Sequence, residues 1–369
     1  MSVAPRCAIV GDGLAALTAY ATLRHGGLEP GEITVFGLDP DPASTWRVRA
    51  AAIRQRVMRS ESDGHCLATS FPGLAVRAAL KQRSAGPLFA SVCNRYHPTV
   101  GDFLEHVDDV RASSGWDSSF RRVRVAQLSA VEGGFSLDGE EAFPHVLLAL
   151  GHAGLAFPSG LESDSRTVHA YQPHEYADEV EVVGAGMAAA TEWLNALDAG
   201  ARVVSVRRRE PLRRPLNVER ELLSRRGLSG FHRTGPDERV ALLRRFLAAS
   251  YPPGRQWDEP LARATAAGRF HVEPALNGAK QIICATGFLR GYQYDPLLAR
   301  LVDEHRLETA EGWIVVAPDS SVPSLTDETR TLSLAGVAGQ WAYPAADTLV
   351  GMKYAARGLL RRVRRWRTR

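Results

Sequence analysis

The apolar positions of this 369-residue chain follow two periods, and twice they do so in the same order. Residues 7–10 (CAIV) are an unbroken apolar run, as a strand buried on both faces requires. After Gly11-Asp12-Gly13, residues Leu14, Leu17 and Ala21 recur at helical spacing until GGLEPGE, and ITVFG (33–37) predicts a second strand. From Val180 the order repeats. VEVV runs into Gly184-Ala185-Gly186, and the helix that follows has Ala190, Trp193, Leu194 and Leu197 on one face. It ends at Ala199-Gly200, and RVVSV (202–206) is the next strand.

The rest of the pattern is less regular. It predicts a helix over 43–56, a loop-rich stretch around SESDGHCLATSFPG, and a helix capped by Thr99 with Phe103, Leu104 and Val107 inward. Short strands separated by Gly and acidic turns then lead to the buried strand HVLLAL. Residues 207–236 read as partly irregular, with a helix over 237–249 after them. AKQIICATGF (279–288) is a buried strand entering a glycine turn, and the chain closes with the strand TLSLAGVAG and a helix from about Asp347 to Arg365.

Each strand–glycine turn–helix unit carries its own chemistry. The first two glycines let the backbone approach a pyrophosphate, whose charge is stabilised by N–H groups at the helix N-terminus. Alanine replaces the third glycine in both loops, as Ala16 and Ala189. An acid about 20 residues on should hold the adenosine ribose. The strand end after the first loop is Gly37, so the nearest candidate is Asp39. After the second loop RVVSV runs into Arg207, Arg208 and Arg209, with Arg213 and Arg214 close behind. Arginine at that place accommodates a 2′-phosphate. The second loop therefore reads as an NADPH site, with Arg207 and Arg208 as its selective residues.

Composition narrows the picture a little. The length allows two domains, or one inserted into another, and 45% apolar with 23% charged residues is ordinary for a globular chain. Of 45 basic residues only Lys81, Lys280 and Lys353 are lysine, and the net charge of +4 is mild. The four cysteines are scattered without a Cys-x-x-Cys, which leaves no dithiol for disulfide reduction and no metal spacing. The N-terminus lacks a signal-peptide pattern and no apolar run approaches the roughly 20 residues of a membrane span, so a cytoplasmic protein is expected. The terminal RRVRRWRTR reads as a solvated helix end, with neither nucleic acid nor membrane as partner.

The order of these motifs resembles the class B flavoprotein monooxygenases, the flavin-containing and the N-hydroxylating ornithine and lysine monooxygenases. VGDGLAA matches their FAD loop, RQRVMRSESDGH (54–65) their Met-Arg-Ser stretch, and YHPTVGDFLEHV the helix start after it. VHAYQPHEY (168–176) is similar to the His-x-x-x-Tyr end of their fingerprint, and CATGF (284–288) to their hinge, with LALGH (148–152) as its partner. LAGVAGQWAYPAADTLVGMKYAARGLL resembles their closing segment, which faces the flavin.

The resemblance implies an α/β fold of two Rossmann-like dinucleotide-binding domains, the NADPH domain (161–280) inserted into the FAD domain (1–160 and 281–369). It implies FAD and NADPH as cofactors, O2 and a small molecule as substrates, and heteroatom hydroxylation by oxygen activated at flavin C4a. It places Gly11, Gly13, Ala16, Asp39, Met58, Thr286, Gly287, Gly339, Gln340 and Asp347 at FAD or its hinge, and Gly184, Gly186, Arg207 and Arg208 at NADPH. Arg59, Ser60 and His65, with Glu61, would lie beside the isoalloxazine, and His169, Tyr171 and Tyr176 along the hinge. Asp347 is also a possible N-cap of the last helix. Three departures stand out: FPSG lies far upstream of His169, GMAAA follows the second loop, and the short chain implies a reduced substrate lid. They keep a second reading open, an NAD(P)H oxidase or NADPH:acceptor reductase on the same scaffold. A flavin-binding protein without catalysis is the third, and the intact glycines argue against it.

Overall fold

The computed structural model describes residues 6–58, 74–92, 98–139, 141–214, 217–349 and 351–367. The chain opens with β1 (Cys7–Val10), α1 (Leu14–His25), β2 (Ile33–Gly37) and α2 (Ser44–Ala52). The helices α3 (Leu74–Gln82), α4 (Gly86–Val92), α5 (Val100–Ser114) and α6 (Trp116–Ser119) precede β3 (Phe120–Arg122). A three-stranded antiparallel insertion, β4 (Leu128–Val131), β5 (Gly134–Leu137) and β6 (Ala142–Phe143), then leads to β7 (His145–Leu148).

The second unit holds β8 (Thr167–His169), β9 (Glu179–Val183), α7 (Met187–Asp198) and β10 (Arg202–Val206). It continues through β11 (Leu212–Arg213), the helices α8 (Arg220–Leu223), α9 (Arg225–Arg233) and α10 (Pro236–Leu247), and β12 (Ser250–Tyr251). It closes with α11 (Arg255–Ala266), β13 (Phe270–Glu273) and β14 (Gln281–Cys284). The chain returns through α12 (Pro296–His305), the hairpin β15 (Thr309–Ala310) and β16 (Trp313–Ile314), β17 (Thr331–Leu334) and α13 (Lys353–Arg367).

Two five-stranded parallel sheets organise these elements, in the orders β17-β7-β1-β2-β3 and β13-β10-β9-β14-β8. The apolar runs explain the middle strands: Cys7, Ala8 and Ile9 of β1 and Val180 and Val182 of β9 are wholly buried. In each sheet the strand before the glycine loop has its next strand on one side and a later one on the other. That reversal is where an open α/β sheet offers a crevice to a ligand. The fold is therefore two Rossmann-like units, the second inserted into the first.

The packing follows from the same residues. In α1, Ala15, Ala16 and Ala19 let the helix lie close to its sheet, and Leu14, Leu17 and Leu23 fill the gap. Trp193 of α7 is fully buried, edge-on to Tyr251 and Phe270 at 5.8 and 5.6 Å. Truncating such a residue to alanine costs about 3–5 kcal/mol. Thr99 caps α5 as expected, its hydroxyl accepting from Asp102 N at 3.0 Å.

Two expectations are corrected. The helix predicted over 43–56 stops at Ala52, because Arg54 turns left-handed and Gln55 N closes back on Ala50 O. The last helix begins at Lys353, not Asp347. Residues 339–349 make successive tight turns, Gly351 is packed so closely that a Cβ there would meet Ala345 O at 1.8 Å, and Asp347 is not an N-cap. The second sheet includes β14, paired with β8 and β9, and the chain leaves it after Cys284. The stretch after β10 is partly irregular, as expected, with α8, α9 and the start of α10 interrupting it. Among the described residues no helix is long and apolar enough to cross a membrane.

Gly11→Ala is expected to lower stability by about 2–3 kcal/mol, since φ is +124° and its Cβ would lie 2.2 Å from Ala149 O. Gly13→Ala, with negative φ and nothing within 4 Å, should change stability by less than about 1 kcal/mol. Paired thermal melts check the contrast, and equal losses would contradict it.

Candidate functional site

The two glycine loops are built alike. Gly11 N donates to Phe36 O at 2.8 Å and Gly184 N to Val206 O at 3.2 Å, so each turn leaves its strand bonded to the neighbouring one. Each first glycine has positive φ and lies against the peptide at which the chain crosses between units. A Cβ at Gly184 would meet Ala285 O at 2.5 Å, the counterpart of the Gly11–Ala149 approach. The second glycines, Gly13 and Gly186, face open space and are the N-caps of α1 and α7. Neither cap has a side-chain acceptor, and neither helix has an acid in its first turn. Both helix ends therefore present uncapped N–H groups to an anion, and a pyrophosphate fits this cradle.

The crossings themselves are joined. Ala156 N donates to Gly287 O at 3.0 Å, Leu289 N to Gly154 O at 2.9 Å, and the Thr286 hydroxyl to Ala156 O. Aromatic rings stack along this ribbon: His152 on Phe288 at 4.2 Å, Phe288 on Tyr171 at 4.9 Å, and Tyr171 on His169 at 5.6 Å. The Arg49 guanidinium of α2 lies over Phe288 at 4.6 Å, and burial lowers its pKa. Burial, with Arg290 and Arg49 nearby, pushes His152 down to about 3. Burial also pushes His169 down to about 4 against opposing backbone hydrogen bonds. Both rings are neutral near physiological pH.

A second buried cluster ties α7 to the segment before β9. Glu192, fully buried, accepts from the Tyr176 hydroxyl at 2.8 Å and pairs with His174 at 3.1 Å. Burial lowers His174, but the hydrogen bond and charge of Glu192 outweigh it and leave the pKa raised. Burial and the Glu192 charge both raise the Tyr176 phenol. Asn195, one turn further along α7, donates to Ile53 O at 2.8 Å and so reaches the end of α2.

Beyond the crossings, Arg290 reaches the closing segment. Its guanidinium lies 3.4 Å from Gln340 Oε1 and 3.3 Å from Asp347 Oδ2, beside a cavity that Gly151, Tyr292 and Trp313 also line. The helices between β10 and β12 pack over the same segment. His232 bonds Ala342 O at 2.7 Å, and the Arg239 guanidinium lies 4.8 Å from the Trp341 ring centre. Through these contacts α9 and α10 pack against residues 341 and 342.

The residues singled out from sequence fall into three groups. Gly11 and Gly13 line the first turn and Gly184 and Gly186 the second, Ala16 is buried where α1 packs on its sheet, and Gln340 and Asp347 meet through Arg290. Others have local tasks. Asp39 is exposed and its carboxyl is held below the usual range by the Ser44 hydroxyl and the Asp41 amide. Arg207 lies over Trp193 at 5.2 Å and pairs with Glu210 at 3.0 Å, whereas Arg208 is exposed. Met58 is buried with its N–H on Pro98 O, and Gly339 lies in a tight turn against Leu334 O. Arg59, Ser60, Glu61 and His65 lie outside the described residues. The reading of the sequence missed Asp12, Arg49, Glu192 and Arg290. Only Arg290, three residues past the hinge glycine, carried a positional signal.

No family model and no curated protein matches the sequence. Solved structures do match in shape. The ornithine hydroxylase of Pseudomonas aeruginosa covers 98% of this chain and 100% of its own at 15% identity, with a TM-score of 0.70. The ornithine N-hydroxylase of Kutzneria sp. 744, in a complex with reduced FAD, NADP+ and L-ornithine, covers 100% of both chains at 14% identity, TM-score 0.74. The bacillithiol disulfide reductase of Bacillus cereus covers 100% of both at 12% identity, TM-score 0.62. At these identities the likeness is one of fold alone.

The buried histidines set a pH dependence. His145, His152 and His169 titrate at about 4, 3 and 4 in the folded chain, below the ordinary 6.5. The unfolded chain takes up protons first, so each removes up to about 1.4 kcal/mol per pH unit as pH falls below about 6.5. His174 has the opposite sign: its stabilisation is full below its ordinary value and is lost as pH rises through its raised one. His152→Phe keeps the stack on Phe288 and should flatten the acid side of a urea-midpoint profile. An unchanged slope would contradict the assignment.

Proposed function

We propose that this chain is an FAD- and NADPH-dependent oxidoreductase that hydroxylates a nitrogen or sulfur atom of a small molecule. The observation that carries the reading is the pair of glycine loops, each pressed against one of two crossings that are themselves hydrogen-bonded together. Such a pair serves two dinucleotides that must exchange electrons. The likeness in fold to two ornithine hydroxylases supports the hydroxylation.

The chain's residues divide the work. Backbone N–H groups beyond Gly11 and Gly13 hold the FAD pyrophosphate, and those beyond Gly184 and Gly186 hold that of NADPH. No acid ends β10, and the exposed Arg208 would meet a 2′-phosphate there, while Arg207 lies over Trp193 and pairs with Glu210. When bound, FAD would supply hydride acceptance and oxygen chemistry. Arg290 holds Gln340 and Asp347 together at the cavity beside the first crossing, fixing the polar edge of the site. Helices α9 and α10, packed on Ala342 and Trp341, would help to exclude water there, as an oxygenating site requires. Neutral His152 and His169 leave the hinge stack without charge of its own apart from Arg49.

The bacillithiol disulfide reductase neighbour favours a second reading, an NADPH:acceptor reductase. Reduction of disulfides by a paired dithiol is not that activity here, because no two of the four cysteines stand in a Cys-x-x-Cys. Comparing NADPH consumed with hydrogen peroxide released, with and without candidate amines and sulfides, separates the two. A substrate that suppresses peroxide and appears as its hydroxylated product supports the monooxygenase; reduction of an acceptor with no such product overturns it.

Arg208→Ala is expected to raise KM for NADPH about tenfold or more, the effect of one lost charge-assisted hydrogen bond, and to leave KM for NADH nearly unchanged. Equal effects on the two coenzymes would remove the 2′-phosphate assignment.

A further inference from the structure

The first unit lacks an acid where one is needed to hold an adenosine ribose, and the structure shows what stands there instead. The strand β2 ends in Gly37, and a Cβ built on it would lie 2.4 Å from the Cβ of Asp12. Positions 12 and 37 therefore leave room for one side chain between them. This sequence places it at 12, inside the glycine loop. Asp12 Oδ2 accepts from Leu38 N at 2.6 Å and Asp39 N at 3.0 Å, which fixes the carboxylate over the end of β2. Oδ1 accepts no bond among the described residues. Asp39, the other acid nearby, is turned to its own loop: its Oδ1 accepts from Asp41 N at 2.9 Å and its amide donates to Asp12.

We propose that Asp12 supplies the carboxylate that receives the 2′-hydroxyl of the adenosine ribose at the first loop. The inference rests on the reading of that loop as an FAD site and names its ribose ligand. The second loop gives the contrast. Its matching position is Ala185, and the strand beside it runs into Arg207 and Arg208. The two loops thus differ in sign at the ribose: a carboxylate that accepts a hydroxyl and repels a 2′-phosphate in the first, guanidinium groups that attract one in the second. Asp12 inside the first loop and the arginines after β10 beside the second help to keep the two dinucleotides from exchanging places.

The test uses the full chain stripped of flavin. Its affinity for FAD and for FAD carrying 2′-deoxyadenosine is read from flavin fluorescence, with thermal melts beside it. Wild type should bind the deoxy analogue about tenfold or more weakly than FAD. Asp12→Asn keeps an acceptor for the two amides, so it should melt like wild type, bind FAD about tenfold or more weakly and lose most discrimination against the analogue. The double variant D12G/G37E moves the carboxylate to the strand end and should recover both affinity and discrimination. Wild type that binds both flavins equally overturns the proposal without any variant, as does Asp12→Asn that still discriminates. Wild type that binds neither flavin overturns the FAD reading itself, and the role of Asp12 with it.

Discussion

The centre of this molecule depends on a backbone approach too close for a side chain. Gly11 lies against Ala149 and Gly184 against Ala285, and in each pair the second partner begins a crossing between units. The strands β1 and β9 thereby lead, through a single turn, both to a helix N-terminus and to the hinge. Because the two crossings bond to each other, the loops belong to one construction. Small residues at these points are what allow two anion cradles and a hinge to share so little space.

Side chains then give the hinge its stiffness and its electrostatic character. His152, Phe288, Tyr171 and His169 stack along the ribbon, with Arg49 above Phe288. Rings packed this way resist sliding, and the burial that packs them keeps both histidines unprotonated. A little further on, Glu192 ties α7 to His174 and Tyr176, and Asn195 ties the same helix to the end of α2. The second loop's helix is held to the first unit by the Asn195 bond as well as by the chain itself.

The periodic parts of this arrangement were legible in the sequence. CAIV, ITVFG, VEVV and RVVSV became strands because both faces are buried, and the Thr99 cap was readable because its acceptor and donor are three residues apart. Contacts between distant segments were not legible. The Asp12–Gly37 exchange needs β1 and β2 side by side, and the meeting of Arg290 with Gln340 and Asp347 spans about fifty residues of chain. The start of α13 was misplaced because the turns at 339–349 and the close packing of Gly351 on Ala345 precede it, which no local pattern announces. Arginine runs also mislead: Arg207 reads like its neighbours yet is occupied with Trp193 and Glu210, leaving Arg208 exposed.

The measurement that bears most directly on this account is anaerobic mixing of the FAD-loaded protein with NADPH while the visible flavin absorption is followed. If the second cradle delivers its coenzyme to a flavin held by the first, the absorption bleaches with a rate that saturates in NADPH, and bleaching by NADH is much weaker at equal concentration. A flavin that stays oxidised under NADPH would contradict the account, because the two loops would then serve no common reaction.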